Sequence, residues 1–243
     1  MSRNPNITAV KAVSKMSLNS RMTFYMESNR QKTSQKTIYL KKYDCYISRP
    51  LTGGNSKLDK SILIFDLLAI VTCMNCSSCK GTCYALKSQR QYIDTLLKRS
   101  VNTYLAKYDI PTLKDIIVTQ LNRTTKKVIR IHSSGDFISQ TYLDMWTEIA
   151  SMFPKKRFYS YTKVDHILDF SAFESLNNVN VVKSVLPDGT KNYGLENYIT
   201  IKARELNAPI CPYRKGMSED AMPHCGKTCN VCLSSPYVLF VQH

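Results

Sequence analysis

Eight of the nine cysteines fall into two dense sets, and nothing else in the chain constrains its folding as much. Cys73, Cys76, Cys79 and Cys83 are spaced C-x2-C-x2-C-x3-C. Cys211, Cys225, Cys229 and Cys232 end in C-x3-C-x2-C. Thiols packed this closely oxidise or cross-link unless a soft centre holds them, and such runs hold zinc or an iron–sulfur cluster. If three thiols of the first run bind a 4Fe–4S cluster, one iron stays open; if all four bind, the site is closed and structural or electron-transferring. The second set offers four soft ligands, enough for one tetrahedral zinc or one fully ligated cluster. Its C-x3-C step departs from the C-x2-C of zinc ribbons and favours a cluster, with zinc as the alternative. Cys45 stands alone in a strand pattern and reads as a buried thiol.

The remaining composition narrows the setting. A chain of 243 residues with 43% hydrophobic content can bury a core and is one large or two small domains. The longest apolar run, about 62–71, is interrupted by Asp66 and falls short of the ~18 residues a membrane span needs. The N-terminal residues lack the apolar stretch of a signal peptide. The expectation is a cytoplasmic protein without membrane contact, whose thiols meet metal rather than one another. A net charge of +16 points to a polyanionic partner, most plausibly nucleic acid. Residues 1–42 carry nine Lys and Arg, Arg3, Lys11, Lys15, Arg21 and Arg30 among them, against Glu27 alone. They read as a basic arm able to follow a phosphate backbone, loosely ordered over 1–36 with a short helix near Ile7 to Met16.

Residues 43–207 read as an α/β domain. A strand is expected over 37–47 and an amphipathic helix from Ile93 to Tyr108. Pro111 should end that helix, and a capping box of Thr112 and Asp115 should open the next. Strands are expected at 127–132, 157–162 and 179–186, helices at 139–152, 171–177 and 194–206, and a short strand at 208–211. This alternation implies βαβ units, a mainly parallel sheet and a partial (β/α) barrel. Residues 208–243 form a cysteine-rich, metal-binding C-terminal segment packed on that domain, ending in a strand at 237–242. Ligands of such sheets bind beyond the C-terminal strand ends, where His132 to Asp136 and Lys163 lie. His132, Asp136 and Lys163 are therefore candidate catalytic groups. Each has an ordinary alternative: a satisfied buried histidine, a turn residue, a surface lysine. Lys126, Lys127, Lys155, Lys156 and Arg157 precede strands and are candidate phosphate contacts.

Cys79-x3-Cys83-Tyr84 resembles the opening of the radical S-adenosylmethionine signature, although Leu86 stands where its third cysteine belongs. The wider constellation is more specific. Cys73, Cys79, Cys83 and Tyr84, the Arg130–Phe137 segment, Tyr142 and Trp146, Phe158–Lys163, Cys211-Pro212 and Cys225, Cys229 and Cys232 together resemble the gene-product-88 family of phages and mobile elements. That family is similar to degenerate relatives of radical S-adenosylmethionine enzymes. The resemblance implies a radical-S-adenosylmethionine-like core in a host cytoplasm. It also implies one or two 4Fe–4S clusters, with Ser134, Gly135, Asp136 and Tyr84 set to hold S-adenosylmethionine. Three readings stay open: a cluster protein that binds nucleic acid, an active radical enzyme acting on a nucleic acid or small molecule, and a zinc-stapled nucleic-acid-binding protein.

Overall fold

The computed structural model describes residues 5–29, 37–54, 58–75, 81, 83–184, 204–212, 217–218, 221, 223, 225 and 227–238. It divides into two compact units, each assembled from separate stretches of chain.

The first unit comprises residues 1–52, 65–124 and 132–145. It opens with helix α1 (Pro5–Ser14), overlapping the short helix expected near Ile7 to Met16, and helix α2 (Leu18–Asn29), where the composition suggested loose order. Packing supplies what propensity does not. Val10 and Val13 are buried with Leu68 and Leu96, and Met16, Leu18, Ile93 and Leu97 close around them. Arg21 Nε and Nη2 donate to the Val13 and Ser14 carbonyls at 3.0 and 2.6 Å, satisfying the open end of α1. The expected single strand at 37–47 is instead a hairpin: β1 (Thr37–Leu40) pairs antiparallel with β2 (Cys45–Ser48). A turn of 3-10 helix over Lys41–Tyr43 joins them, and Asp44 takes a left-handed φ of 46°. Aspartate tolerates that region better than most residues, which lets the chain reverse there. Cys45 is fully buried in β2, as expected.

Three helices complete this unit: α3 (Tyr84–Gln91), α4 (Ile93–Tyr108) and α5 (Ile110–Asn122). The expected bounds of α4 hold. Pro111 does not separate the two helices. It sits in the first turn of α5, where a missing N–H costs nothing, and Asp109 is the N-cap in place of the expected Thr112. Asp109 is buried and accepts from Lys42 Nζ and Tyr43 Oη, both at 2.7 Å, and from Thr112 N at 3.4 Å. Burial pushes this carboxyl up, but the three donors outweigh it and hold it at about 2. A depressed acid stabilises the fold above its unfolded pKa and loses that contribution as the pH falls. Asp109→Asn should therefore cost about 2 kcal/mol at pH 7 and about half that at pH 3. Urea titrations of both proteins at the two pH values measure the difference; a penalty independent of pH would refute the ion-pair account.

The second unit comprises residues 53–64, 125–131 and 146–243. A five-stranded sheet, in the order β3-β4-β5-β6-β7, runs from β3 (Leu51–Gly53) and β4 (Ile62–Phe65) to β5 (Val128–Ile131), β6 (Arg157–Thr162) and β7 (Val179–Lys183). β5, β6 and β7 are parallel, with Val128 beside Arg157 and Phe158 beside Val179. Helices α6 (Gln140–Met152) and α7 (Ser171–Glu174) make the crossovers. Parallel strands need such crossovers and are buried on both faces. Ile129, Phe158, Val181, Trp146, Ile149 and Phe173 form the core accordingly. The Asn178 amide donates to the carbonyls of Ala150, Phe153 and Lys156, tying the end of α6 to the start of β6.

The expected α/β alternation is present, as a mixed fold with a parallel sheet. Among the described residues the sheet is open, with β3 and β7 at its edges, and no barrel closes. Helix α7 is shorter than expected. Most of the expected helix at 194–206, and the strand at 237–242 beyond Val238, lie outside the described residues.

Candidate functional site

The first unit contains a polar node at Asp66, the residue that interrupts the longest apolar run. Asp66 follows the buried strand β4, and its Oδ1 accepts Ser133 N at 2.8 Å, Ser133 Oγ at 2.7 Å and Ser134 N at 3.0 Å. Oδ2 faces Arg99 Nη2 at 3.0 Å, and the Asp66 carbonyl accepts Asn102 Nδ2 at 2.9 Å. Ser134 Oγ and O bond to Leu67 O and N at 2.9 and 3.0 Å. One carboxylate thus fixes the loop that follows β5.

That loop carries the expected cofactor residues in a contorted backbone. His132 has φ 63° and Gly135 φ 86°. Left-handed backbone is costly for a bulky residue, and such strain collects at binding sites. His132 is buried. Its Nε2 lies 2.9 Å from Tyr142 Oη, and the Phe137 ring meets it edge-on at 4.7 Å. Burial lowers its pKa to about 3, so the ring is neutral at physiological pH. Its Nδ1, Arg99 Nε and Asn102 Oδ1 are buried with no hydrogen-bond partner among the described residues. Asp136 is buried, and its Oδ1 accepts Phe137 N at 2.8 Å. Tyr84 is 70% exposed, yet its hydroxyl donates to Ser133 O at 2.6 Å, joining the start of α3 to the loop. Cys83 immediately precedes Tyr84, and Cys73 N bonds Ile70 O at 3.2 Å; both thiols are half-buried. Cys76 and Cys79 lie outside the described residues. The first unit therefore gathers His132, Ser134, Gly135, Asp136, Tyr84, Cys73 and Cys83, while Lys163 falls in the second unit, after β6.

The second unit holds the other cysteines. Cys211 is buried, and Cys225, Cys229 and Cys232 are half-buried. Cys225 bridges both Leu58 and Cys229 through the backbone, and its carbonyl accepts Asp59 N at 3.0 Å. Asn180 Nδ2 holds the Cys232 carbonyl at 2.9 Å. Two apolar clusters meet at Cys232 and Tyr161. One contains Leu58, Ile62, Tyr159 and Cys225; the other contains Val182, Cys211 and Val238. The Arg130 guanidinium lies 4.8 Å from the centre of the Tyr161 ring. Burial pushes the Cys232 thiol up to about 11; Cys225 and Cys211 add to the rise, while Tyr161 and Arg130 oppose it. No three described His, Cys, Asp or Glu side chains stand at metal-holding distances.

The expected phosphate contacts divide. Lys11 and Lys15 are exposed, Arg21 is turned onto α1, and Arg3 and Arg30 lie outside the described residues. Lys127 and Lys155 are exposed. Lys126, Lys156 and Arg157 donate to the carbonyls of Lys60, Lys126 and Leu233. Sequence reasoning passed over Asp66 and Arg99 as site residues. A carboxylate inside an apolar run and an arginine on the inner face of α4 were the available signals.

A family model described as Gene product 88 matches residues 23–230. The chain belongs to the gene-product-88 family. It is 28% identical over 97 residues to the Gene 88 protein of Mycobacterium phage L5, covering 40% of this chain and 39% of the relative. It is 34% identical over 62 residues to the Gene 88 protein of Mycobacterium phage D29, covering 26% of each. The chain thus spans well under half the length of either relative. Both are phage proteins, which supports a phage origin for this family member. No solved structure matches. No helix among the described residues is long and apolar enough to cross a membrane.

Proposed function

We propose that this gene-product-88 protein is an iron–sulfur protein of a phage or mobile element that binds nucleic acid and is built on a radical-S-adenosylmethionine-like core. The observation that carries this reading is that Cys225 and Cys211 belong to two apolar clusters of the second unit that share Cys232 and Tyr161, with Arg130 against the Tyr161 ring. Their donor set suits a soft metal centre, and the nearby guanidinium would offset the charge of bound thiolates. Cys229 would complete four ligands. The first run would hold a second cluster through Cys73, Cys79 and Cys83, with Cys76 as a further candidate ligand. The basic net charge supports nucleic acid as the partner.

A second reading, an active radical enzyme, is favoured by the loop after β5. It follows a parallel strand, bends through two positive φ angles, and is tied to Tyr84 beside Cys83. Ser134, Gly135 and Asp136 would hold the amino-acid end of S-adenosylmethionine there, and the cluster would supply the electron.

Protein purified without oxygen should contain iron and acid-labile sulfide and absorb broadly near ~400 nm. Colourless protein with stoichiometric zinc would retire the iron–sulfur reading in favour of a zinc-stapled fold. Absence of both metals would retire the metal–thiolate reading altogether. If iron is present, dithionite and S-adenosylmethionine should yield 5′-deoxyadenosine under the enzyme reading. None forms if the clusters are structural.

A further inference from the structure

The second unit admits the chain to its sheet through three basic turns. Lys60 precedes β4, Lys126 and Lys127 precede β5, and Lys155, Lys156 and Arg157 lead into β6. Parallel pairing sets Val128 beside Arg157, so the entries to β5 and β6 share one end of the sheet. Arg157 N donates to Lys127 O at 2.7 Å, and Lys156 Nζ to Lys126 O at 2.9 Å. Lys126 Nζ donates to Lys60 O and brings the third turn to the same edge. Within residues 58–61, 125–127 and 154–157 the one carboxylate is Asp59, whose Oδ1 accepts Ser61 N at 2.8 Å.

Six cations at one end of the strands raise the local positive potential and attract polyanions. Lys126, Lys156 and Arg157 donate to main-chain carbonyls, which reduces the freedom of those side chains. Fixed charge of this kind lowers the ordering cost of binding. Lys60, Lys127 and Lys155 are exposed beside them. The N-terminal helices offer less, because Arg21 is committed to the end of α1.

We propose that this edge of the sheet is a sequence-independent docking surface for the sugar–phosphate backbone of a nucleic acid. Lys60, Lys127 and Lys155 reach phosphates, and Lys126, Lys156 and Arg157 stand as fixed charges behind them. The inference rests on the nucleic-acid part of the proposed function and assigns it a place.

The test is fluorescence anisotropy with the full, metal-loaded chain at several salt concentrations. The probes are a labelled single-stranded DNA, its duplex and the equivalent RNA. The variant K60Q/K127Q/K155Q should bind at least about tenfold more weakly at physiological salt, with the slope of log K against log salt reduced by about 2 to 3. The matched variant K87Q/R90Q/K107Q removes equal charge from exposed positions of the first unit and should change the slope little. Equal losses in both variants would show that net charge, not this edge, does the binding, and would overturn the proposal while leaving nucleic-acid binding intact. No loss in the edge variant would do the same. Wild-type protein that ignores all three probes at low salt would overturn both readings. Anionic vesicles that compete as strongly as nucleic acid, with the same sensitivity to the edge variant, would reassign the surface to membranes and overturn the proposal. If the triple variant melts early, Lys155→Gln alone should still lower the slope by about 0.7 to 0.9.

Discussion

Asp66→Ala should destabilise the protein by about 3–5 kcal/mol, the cost of leaving a buried charge without its partner. Arg99 is 7% exposed at its side chain and faces the Asp66 carboxylate at 3.0 Å. Alanine would also strip the acceptor from two backbone N–H groups and one hydroxyl of the loop after β5. Asp66→Asn should cost less, because one oxygen can still accept from Ser133 or Ser134. The double variant D66A/R99L should recover part of the loss by removing the stranded guanidinium. Urea unfolding of wild type, D66A, R99L and D66A/R99L forms a double-mutant cycle with an expected coupling of about 1–3 kcal/mol. A cost of D66A below about 1 kcal/mol would mean that water reaches Arg99 freely and that the node is not a buried pair.

Gly135→Ala should cost about 2–5 kcal/mol. Two effects add. At φ 86° an L side chain is strained, by about 1–2 kcal/mol. The new Cβ would also stand 2.5 Å from Thr72 Oγ1 and 2.7 Å from Leu67 Cβ, and overpacking of this kind costs about 1–3 kcal/mol. Thr72 is itself held, because its hydroxyl donates to Leu68 O at 2.6 Å, so it yields only by breaking that bond. Adding Thr72→Ala should therefore return a fraction of the stability without restoring the backbone angle. Thermal melts decide the matter. A G135A protein as stable as wild type would show that the loop can adopt another path.

Much of the architecture could be read from the chain because it rests on local patterns. The apolar face of α4 repeats at helical spacing, and the β-branched run before Ser133 and the RFYSYT segment alternate as strands do. These elements appear where expected. The failures share a physical cause: tertiary partners overrode local signals. Helix α2 has a weak apolar face and forms because Met22 and Tyr25 find a core to enter. Pro111 reads as a stop, but it becomes a start once Asp109 takes the cap with Lys42 and Tyr43 from far earlier in the chain. At the candidate site the Ser134–Gly135–Asp136 turn and the cysteines were visible as residue types. The carboxylate that fixes the turn was not, since the link from Asp66 to Ser133 spans 67 positions. The approach of Arg130 and Tyr161 to Cys232 was hidden for the same reason; it follows only once two parallel strands have aligned.

The division of the chain into alternating stretches has a consequence for biosynthesis. Each unit takes residues from both sides of position 125, so neither can close until the chain has passed that point: the first needs residues up to 145, and the second needs residues 146–243 as well. A nascent chain leaving the ribosome must hold its first helices and its early thiols in waiting until later stretches emerge. Non-local closure of this kind slows folding and prolongs exposure of apolar surface.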